Sequence, residues 1–286
     1  MERFVRIRIG VLLALSLGAV FIWLPVIEAQ NISQSHLQVR FLDVGQGDAI
    51  HVVTPDGFEA LIDGGLTTQV LRELAAGQSF FDRSIDIVVA THPDADHISG
   101  LVDVLERYAV DWIIQTDNQH DTPATAAWAK QVQTEGAQII TAQAGQILRL
   151  GASTTLRFFA PTGDTTNWPS NSASIIIKVS YGNIDFLLTG DAPISVEDFV
   201  VGRYGSALQS EVLKLGHHGS KGSSGELFLD TVQPDFAVVS AGKDNRYGHP
   251  HQEVLKRVSD RDVEIVGTAE VGTITFVTDG VNVWQK

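Results

Sequence analysis

The 286-residue chain has no cysteine and a single methionine. Without cysteine there are no disulfides, no thiolate ligands and no cysteine nucleophile, so any bound metal must be held by nitrogen and oxygen. Basic residues are scarce: 20 Lys and Arg stand against 34 Asp and Glu, a formal net charge of −14. That balance argues against a strong sequence-independent grip on nucleic acid, which needs clustered Lys and Arg. Bound cations would cancel part of the deficit, because several of the acids fall in the site described below.

One long apolar run is present. Arg3, Arg6 and Arg8 precede IGVLLALSLGAVFIWLPVI, 19 uncharged residues from Ile9 to Ile27. This is long enough to cross a bilayer, with the arginines on the cytoplasmic side. Residues 1–29 therefore read as an uncleaved signal anchor in the cell membrane, with the rest of the chain outside the cytoplasm. A cleaved secretory signal is the alternative, but its cleavage site would be IEA, with Ile27 where a small residue is usual.

Residues 30–36, QNISQSH, form a polar linker, and residues 37–286 are the folded part. Its 44% hydrophobic content is ample for a packed core. Short strand-like runs come first (LQVRFLDV, AIHVVT, EALIDGG), then a helical VLRELAAG that stops at Gly77. Strand SIDIVVA, helix SGLVDVLERY, strand VDWIIQ and helix ATAAWAKQVQTEG follow. Residues 138–190 return to strands, and beyond them strands and helices alternate again. Two blocks, each of strands followed by helices, predict two packed sheets with helices outside.

The chemistry concentrates where apolar runs end. THPDADHISG, residues 91–100, follows SIDIVVA and carries His92, Asp94, Asp96 and His97, four side chains able to ligate a divalent metal. FLLTGDA delivers Asp191, and VLKLGHHGS delivers His217 and His218. ALIDGG delivers Asp63, and VVSAGKDNRYGHPH delivers Lys243, His249 and His251. Adjacent side chains on an extended backbone point opposite ways, so of His217 and His218 one is expected as a ligand and the other as a hydrogen-bonding group. Alternation places His51 on a sheet surface.

These stretches, with FLDVGQGDA at 41–49 and NSAS at 171–174, occur in an order that resembles the metallo-β-lactamase superfamily. More narrowly, the chain is similar to the hydrolase domain of the ComEC/Rec2 DNA-uptake channel proteins and its standalone forms. The resemblance implies an αββα sandwich with metals at one edge. The superfamily's common HxHxDH reads H-x-D-x-D-H here, with Asp94 at the second histidine position. By position, His92 and Asp94 would serve a first divalent ion, Asp96 and His97 a second, with Asp191 bridging and His217 completing the second site. NSAS stands where a further histidine usually completes the first site, so Asn171 would reach that metal directly or through water, and occupancy of the site is left open. Oxygen-rich ligation shifts preference from Zn2+ toward Mn2+ without excluding zinc.

Two cations held close together generate a nucleophile from water near neutral pH and clamp the oxygens of an in-line displacement at phosphorus. Asp96 belongs to that catalytic centre, and His249 is expected to protonate the departing alkoxide. Asp63, Asp43, Ser174 and His218 are expected to orient ligands or the turns that hold them, and Lys243 to meet phosphate. The expected activity is that of a phosphodiesterase or nuclease acting on DNA outside the cytoplasm, served by a separate uptake channel. A hydrolase of a small ester, lactone or amide, and a non-catalytic binding module, are the alternatives.

Overall fold

The computed structural model describes residues 36–78, 82–243 and 245–286, with Ser16 and Gly18 besides. Apart from those two residues, the expected anchor lies outside the described residues, as does most of the expected linker. Among the described residues no helix is long and apolar enough to cross a membrane.

Two sheets form the centre. The first contains β1 (Leu37–Phe41), β2 (Ile50–Val53), β3 (Glu59–Ile62), β4 (Ser84–Ala90), β5 (Ala109–Gln115) and β6 (Gln138–Thr141), joined beside β1 by β14 (Ile274–Thr278) and β15 (Val283–Gln285). The second runs β13 (Glu264–Gly267), β12 (Phe236–Val239), β11 (Val212–Lys214), β10 (Ile184–Leu188), β9 (Ile176–Tyr181), β8 (Thr154–Ala160) and β7 (Ile147–Leu150). Strand alternation sorts the side chains: Val39, Phe41, Val52 and Ile62 meet Phe158, Ile177, Phe186 and Val212 between the sheets. Leu61, Val88 and Ile113 point the other way, under the first-sheet helices α1 (Gln69–Gly77), α2 (Ala95–Leu105) and α3 (Pro123–Glu135). Leu187, Leu213 and Ala237 do the same beneath α4 (Ile194–Tyr204), α5 (Glu226–Val232) and α6 (Gln252–Ser259). A short α7 (Thr268–Val271) follows β13. This is the expected αββα sandwich.

Each sheet is parallel over one half: β3 to β6 in the first, β10 to β13 in the second. The carboxyl ends of β3, β4, β10, β11 and β12 carry the loops with Asp63, residues 91–97, Asp191, residues 216–219 and residues 240–251. Open α/β sheets place ligands at such ends.

Three local readings change. Helix α2 begins at Ala95, so Asp96 and His97 lie in its first turn, where the helix dipole favours Asp96. Helix α4 was not evident in the sequence, because its β-branched residues and buried Glu197 blur the amphipathic pattern. His51 is buried, its Nε2 2.8 Å from Glu59, because Arg40 closes over that face by donating to the Glu73 carbonyl in α1.

Candidate metal centre

The loop after β4 turns sharply into α2, and Asp94 takes the N-cap position with extended backbone. Its carboxylate makes no capping hydrogen bond and lies 3.7 Å from His92 Nε2. The turn between β1 and β2 packs against this loop at Gly47, where a Cβ would overlap the Asp96 carbonyl oxygen. That close approach brings Asp48 beneath the site.

Three imidazoles converge on Asp191. His97 Nε2 is 3.4 Å from Asp191 Oδ1, while His92 Nε2 and His218 Nε2 are 3.9 Å and 3.6 Å from Asp191 Oδ2. His218 Nε2 also lies 3.4 Å from Asp96 Oδ2. In each ring Nδ1 is spent elsewhere. That of His97 donates to Asp63 at 2.8 Å, and that of His218 to the Ser240 carbonyl at 2.9 Å. His92 Nδ1 meets Thr91 Oγ1 at 3.0 Å, and that hydroxyl in turn donates to Asp63. This pattern fixes a proton on Nδ1 and leaves Nε2 as the inward-facing atom of each ring, the one that offers a lone pair once a cation displaces any proton there. All three Nε2 atoms are buried and have no hydrogen-bond partner, and Asp191 Oδ1 shares that condition. Buried polar atoms in proteins are as a rule paired, and four unpaired ones converging on one point fit a divalent cation. Two groupings present the free Nε2 atoms: His92, His97 and Asp191, and Asp96, His97 and His218.

Electrostatics follow burial. Burial pushes the His92 ring down to about 3. It acts the same way on His218, but the Asp191 and Asp48 carboxylates outweigh it and lift that ring to about 9. Burial alone would raise Asp191, yet the adjacent His218 and His97 hold it well below the usual carboxylate range. Burial raises Asp63 against the pull of His97.

His217 and His218 depart from the alternation argument. Both have left-handed backbone, φ 50° and 57°, so the two rings face the same carboxylate, and His217 Nε2 is also 3.6 Å from Asp191 Oδ2. Such strain in non-glycine residues clusters at functional sites. Asn171 donates its amide to His217 Nδ1 at 3.3 Å, with its Oδ1 accepting from Ser170, which puts the His217 proton on Nε2. The structure thus brings His218, rather than His217, into the group with Asp96 and His97, and Asn171 touches His217.

The other expected residues separate into neighbours and outliers. Ser174 Oγ accepts from the Asp191 backbone N–H at 3.2 Å. His249 sits beside His217, ring centroids 5.3 Å apart, and burial with the neighbouring imidazoles pushes it down to about 4. Asp43 stays in its own turn, accepting from Gly45, and Lys243 is exposed on the loop after β12.

With this geometry in view, the match to known proteins is direct. The family model described as the metallo-beta-lactamase superfamily fits residues 42–243. The chain belongs to the metallo-β-lactamase superfamily. Within it, the chain is similar to ComE operon protein 3 of Bacillus subtilis (strain 168), 30% identical over 257 residues, covering 84% of this chain and 33% of that protein. It is also similar to competence protein ComA of Neisseria gonorrhoeae, 32% identical over 253 residues, covering 86% and 33%. The chain therefore spans about a third of the length of these relatives. Among solved structures it resembles the metallo-beta-lactamase fold protein YhfI from Bacillus subtilis, with TM-score 0.55 and 14% identity over 86% of this chain and 99% of that one. That likeness concerns the fold alone. Superfamily membership and the donor set together support a metal-dependent hydrolase.

Lys214, which the reading from sequence missed, meets Asp48, a residue of GQGDA that the sequence leaves open between turn chemistry and support of this metallo-β-lactamase site. Both are buried and form an ion pair at the floor of the cluster. The available signal was Lys214 itself, a charge inside the apolar run VLKLG on the same strand face as Val212.

Proposed function

We propose that this protein is a metal-dependent phosphodiesterase that cleaves DNA. The observation carrying the metal-dependent part is the trio of buried, unpartnered Nε2 atoms around Asp191. His92, His97 and His218 would hold the metal with Asp191, flanked by Asp94 and Asp96. Bound there, divalent ions would activate water and neutralise charge developing on phosphoryl oxygens. Ser174 keeps Asp191 in place, while Asp63 and Thr91 keep the His97 and His92 rings turned inward. His217, with a third of its side chain exposed, presents an Nε2–H toward Asp191. His249, pushed down to about 4 and so neutral at neutral pH, is not the general acid expected from the sequence; its proposed role is a hydrogen bond to the departing oxygen, which takes its proton from water.

A polynucleotide substrate is favoured by the exposed Lys221, Lys243 and Arg246, which lie on the loops carrying His217 and His249 despite the chain's acidity. The kinship to competence proteins agrees with that substrate. The apolar run at residues 9–27 would hold the domain at the outer side of a membrane, where a channel protein could hand it DNA.

A small-molecule substrate has one observation in its favour. A cavity of about 680 Å³ opens beside His92 and Pro93, bounded by Trp128, Asn118 and Ile139, with no lysine or arginine in its lining.

Hydrolysis of single- and double-stranded DNA by the purified full chain, with Mn2+ or Zn2+, tests the proposal beside Asp96→Ala and His97→Ala. The expected result is metal-dependent cleavage that both variants lose. Intact DNA with turnover of bis-p-nitrophenyl phosphate or a lactone would move the assignment to the small-substrate reading.

A further inference from the structure

Lys214 is a fully buried lysine at the floor of the donor cluster. Strand alternation turns it inward, on the face that Val212 presents to the opposite sheet, while Leu213 faces the outer helices. At the carboxyl end of β11 that inward position opens onto the site. The ammonium donates to the Gly190 carbonyl at 3.1 Å, is ion-paired with Asp48 Oδ2, and lies 3.9 Å from Asp191 Oδ1. Thr189 pins the same residue by donating to the Lys214 carbonyl at 3.0 Å.

Two further donor groups besides the Nε2 sets are close enough to hold a metal: Asp48, Asp63 and His97, and Asp48, Asp191 and His218. Both contain Asp48, the partner of Lys214. The imidazole atoms nearest Asp48 are Nδ1 of His97, at 3.9 Å, and Nδ1 of His218, at 3.4 Å. Those nitrogens already donate to Asp63 and to the Ser240 carbonyl. The Asp48 side of the cluster therefore has its carboxylate matched by an ammonium and its imidazoles facing it with N–H groups. The opposite side has bare Nε2 atoms.

We infer that Lys214 is a resident cation of the site. Its ammonium holds the position between Asp48 and Asp191, which confines divalent ions to the two Nε2-bearing groups. It also keeps those carboxylates folded inward before metal arrives. The inference rests on the metal-centre reading above. Its physical basis is that a buried carboxylate stripped of its counter-charge is strongly destabilising, whereas the neutralised pair can be replaced as a unit at little cost. A tethered ammonium and a divalent ion cannot occupy the same position between Asp48 and Asp191, and each repels the other at that range, so removal of the first admits the second.

The test measures Mn2+ bound per chain at saturation, and the melting temperature of the metal-free protein. It uses the full chain as wild type, Lys214→Met, and the double variant Lys214→Met with Asp48→Asn. The expected result is one more ion per chain in Lys214→Met than in wild type. Metal-free Lys214→Met should also melt lower by roughly 10 °C. The double variant, whose pair is neutral and of similar shape, should return to the wild-type count and recover most of the lost melting temperature. Should Lys214→Met fail to fold without metal, refolding on Mn2+ addition supports the inference, and an equally unfolded double variant overturns it. An unchanged ion count and unchanged metal-free melting in Lys214→Met, with wild type binding Mn2+, overturns this inference alone. Wild type that binds no Mn2+ defeats the metal-centre reading and this inference with it.

Discussion

At the floor of the site, His97, Asp48, Asp63 and Lys214 are at most 1% exposed and are tied to one another or to backbone. At the rim, the His217 side chain is 34% exposed, and Lys221, Lys243 and Arg246 stand in solvent. The floor comes mainly from the first sheet and β11, elements held by the interior of the sandwich. The rim comes from the loops after β11 and β12, held by a few hydrogen bonds such as the one from His251 N–H to the Gly219 carbonyl. Rigid, buried parts orient ligands, whereas exposed loops meet what arrives from solution. Floor substitutions should therefore act on metal affinity and stability, and rim substitutions on the choice of substrate.

The largest effect should come from the floor. Asp63→Asn keeps an acceptor for His97 but removes the carboxylate that also takes the Thr91 hydrogen bonds. Mn2+ affinity should fall roughly 10- to 100-fold, measured by titration of the metal-free protein. Unchanged affinity would show that Asp63 only supports the strand end, and the floor would lose its distinct role.

A second expectation concerns the clasp that holds the rim loop. Glu197 is buried in α4 and accepts from the Ser224 and Gly225 backbone N–H groups at 2.7 Å and 2.8 Å. Burial lifts its carboxyl from 4.5 to about 7, against the pull of those two donors. The folded state therefore holds this proton more tightly than the unfolded chain does. The stabilisation is complete below pH 4.5 and is lost as pH rises through about 7. The melting temperature of wild type should fall relative to Glu197→Gln across that window, by roughly 5 °C at its upper end. A constant difference between the two proteins from pH 4 to 8 would assign the clasp no titrating role.

The smallest effect belongs to the rim. Lys243→Ala should slow DNA cleavage a few-fold and flatten its logarithmic salt dependence by roughly 0.7 to 0.9. Hydrolysis of bis-p-nitrophenyl phosphate should stay within about twofold, since that substrate needs no phosphate contact away from the reaction centre. Equal losses on both substrates would place Lys243 at the floor's business and blur the division.

Much of the architecture is legible in the amino-acid sequence. Alternating apolar runs bounded by glycine and proline marked most strands, and THPDADHISG announced the metal loop through its residue types alone. Helix α4 was hidden because β-branched residues serve strands and helices alike. The burial of His51 was hidden because period-two alternation assigns a face but does not reveal what covers it.

The amino-acid sequence by itself determined that nitrogen and oxygen must hold any metal, that the donors cluster at strand ends, and that two strand-and-helix blocks make the fold. Only the tertiary structure decided which nitrogen of each imidazole is free, because that depends on Asp63 and Ser240 arriving from elsewhere in the chain, Asp63 also turning the Thr91 hydroxyl that meets His92. It also decided that His217 and His218 face one carboxylate, since two successive left-handed residues cancel the alternation of an extended chain. The pairing of Asp48 with Lys214 belongs with these: 166 positions apart by numbering, they meet because the turn between β1 and β2 and the carboxyl end of β11 lie at one edge of the sandwich.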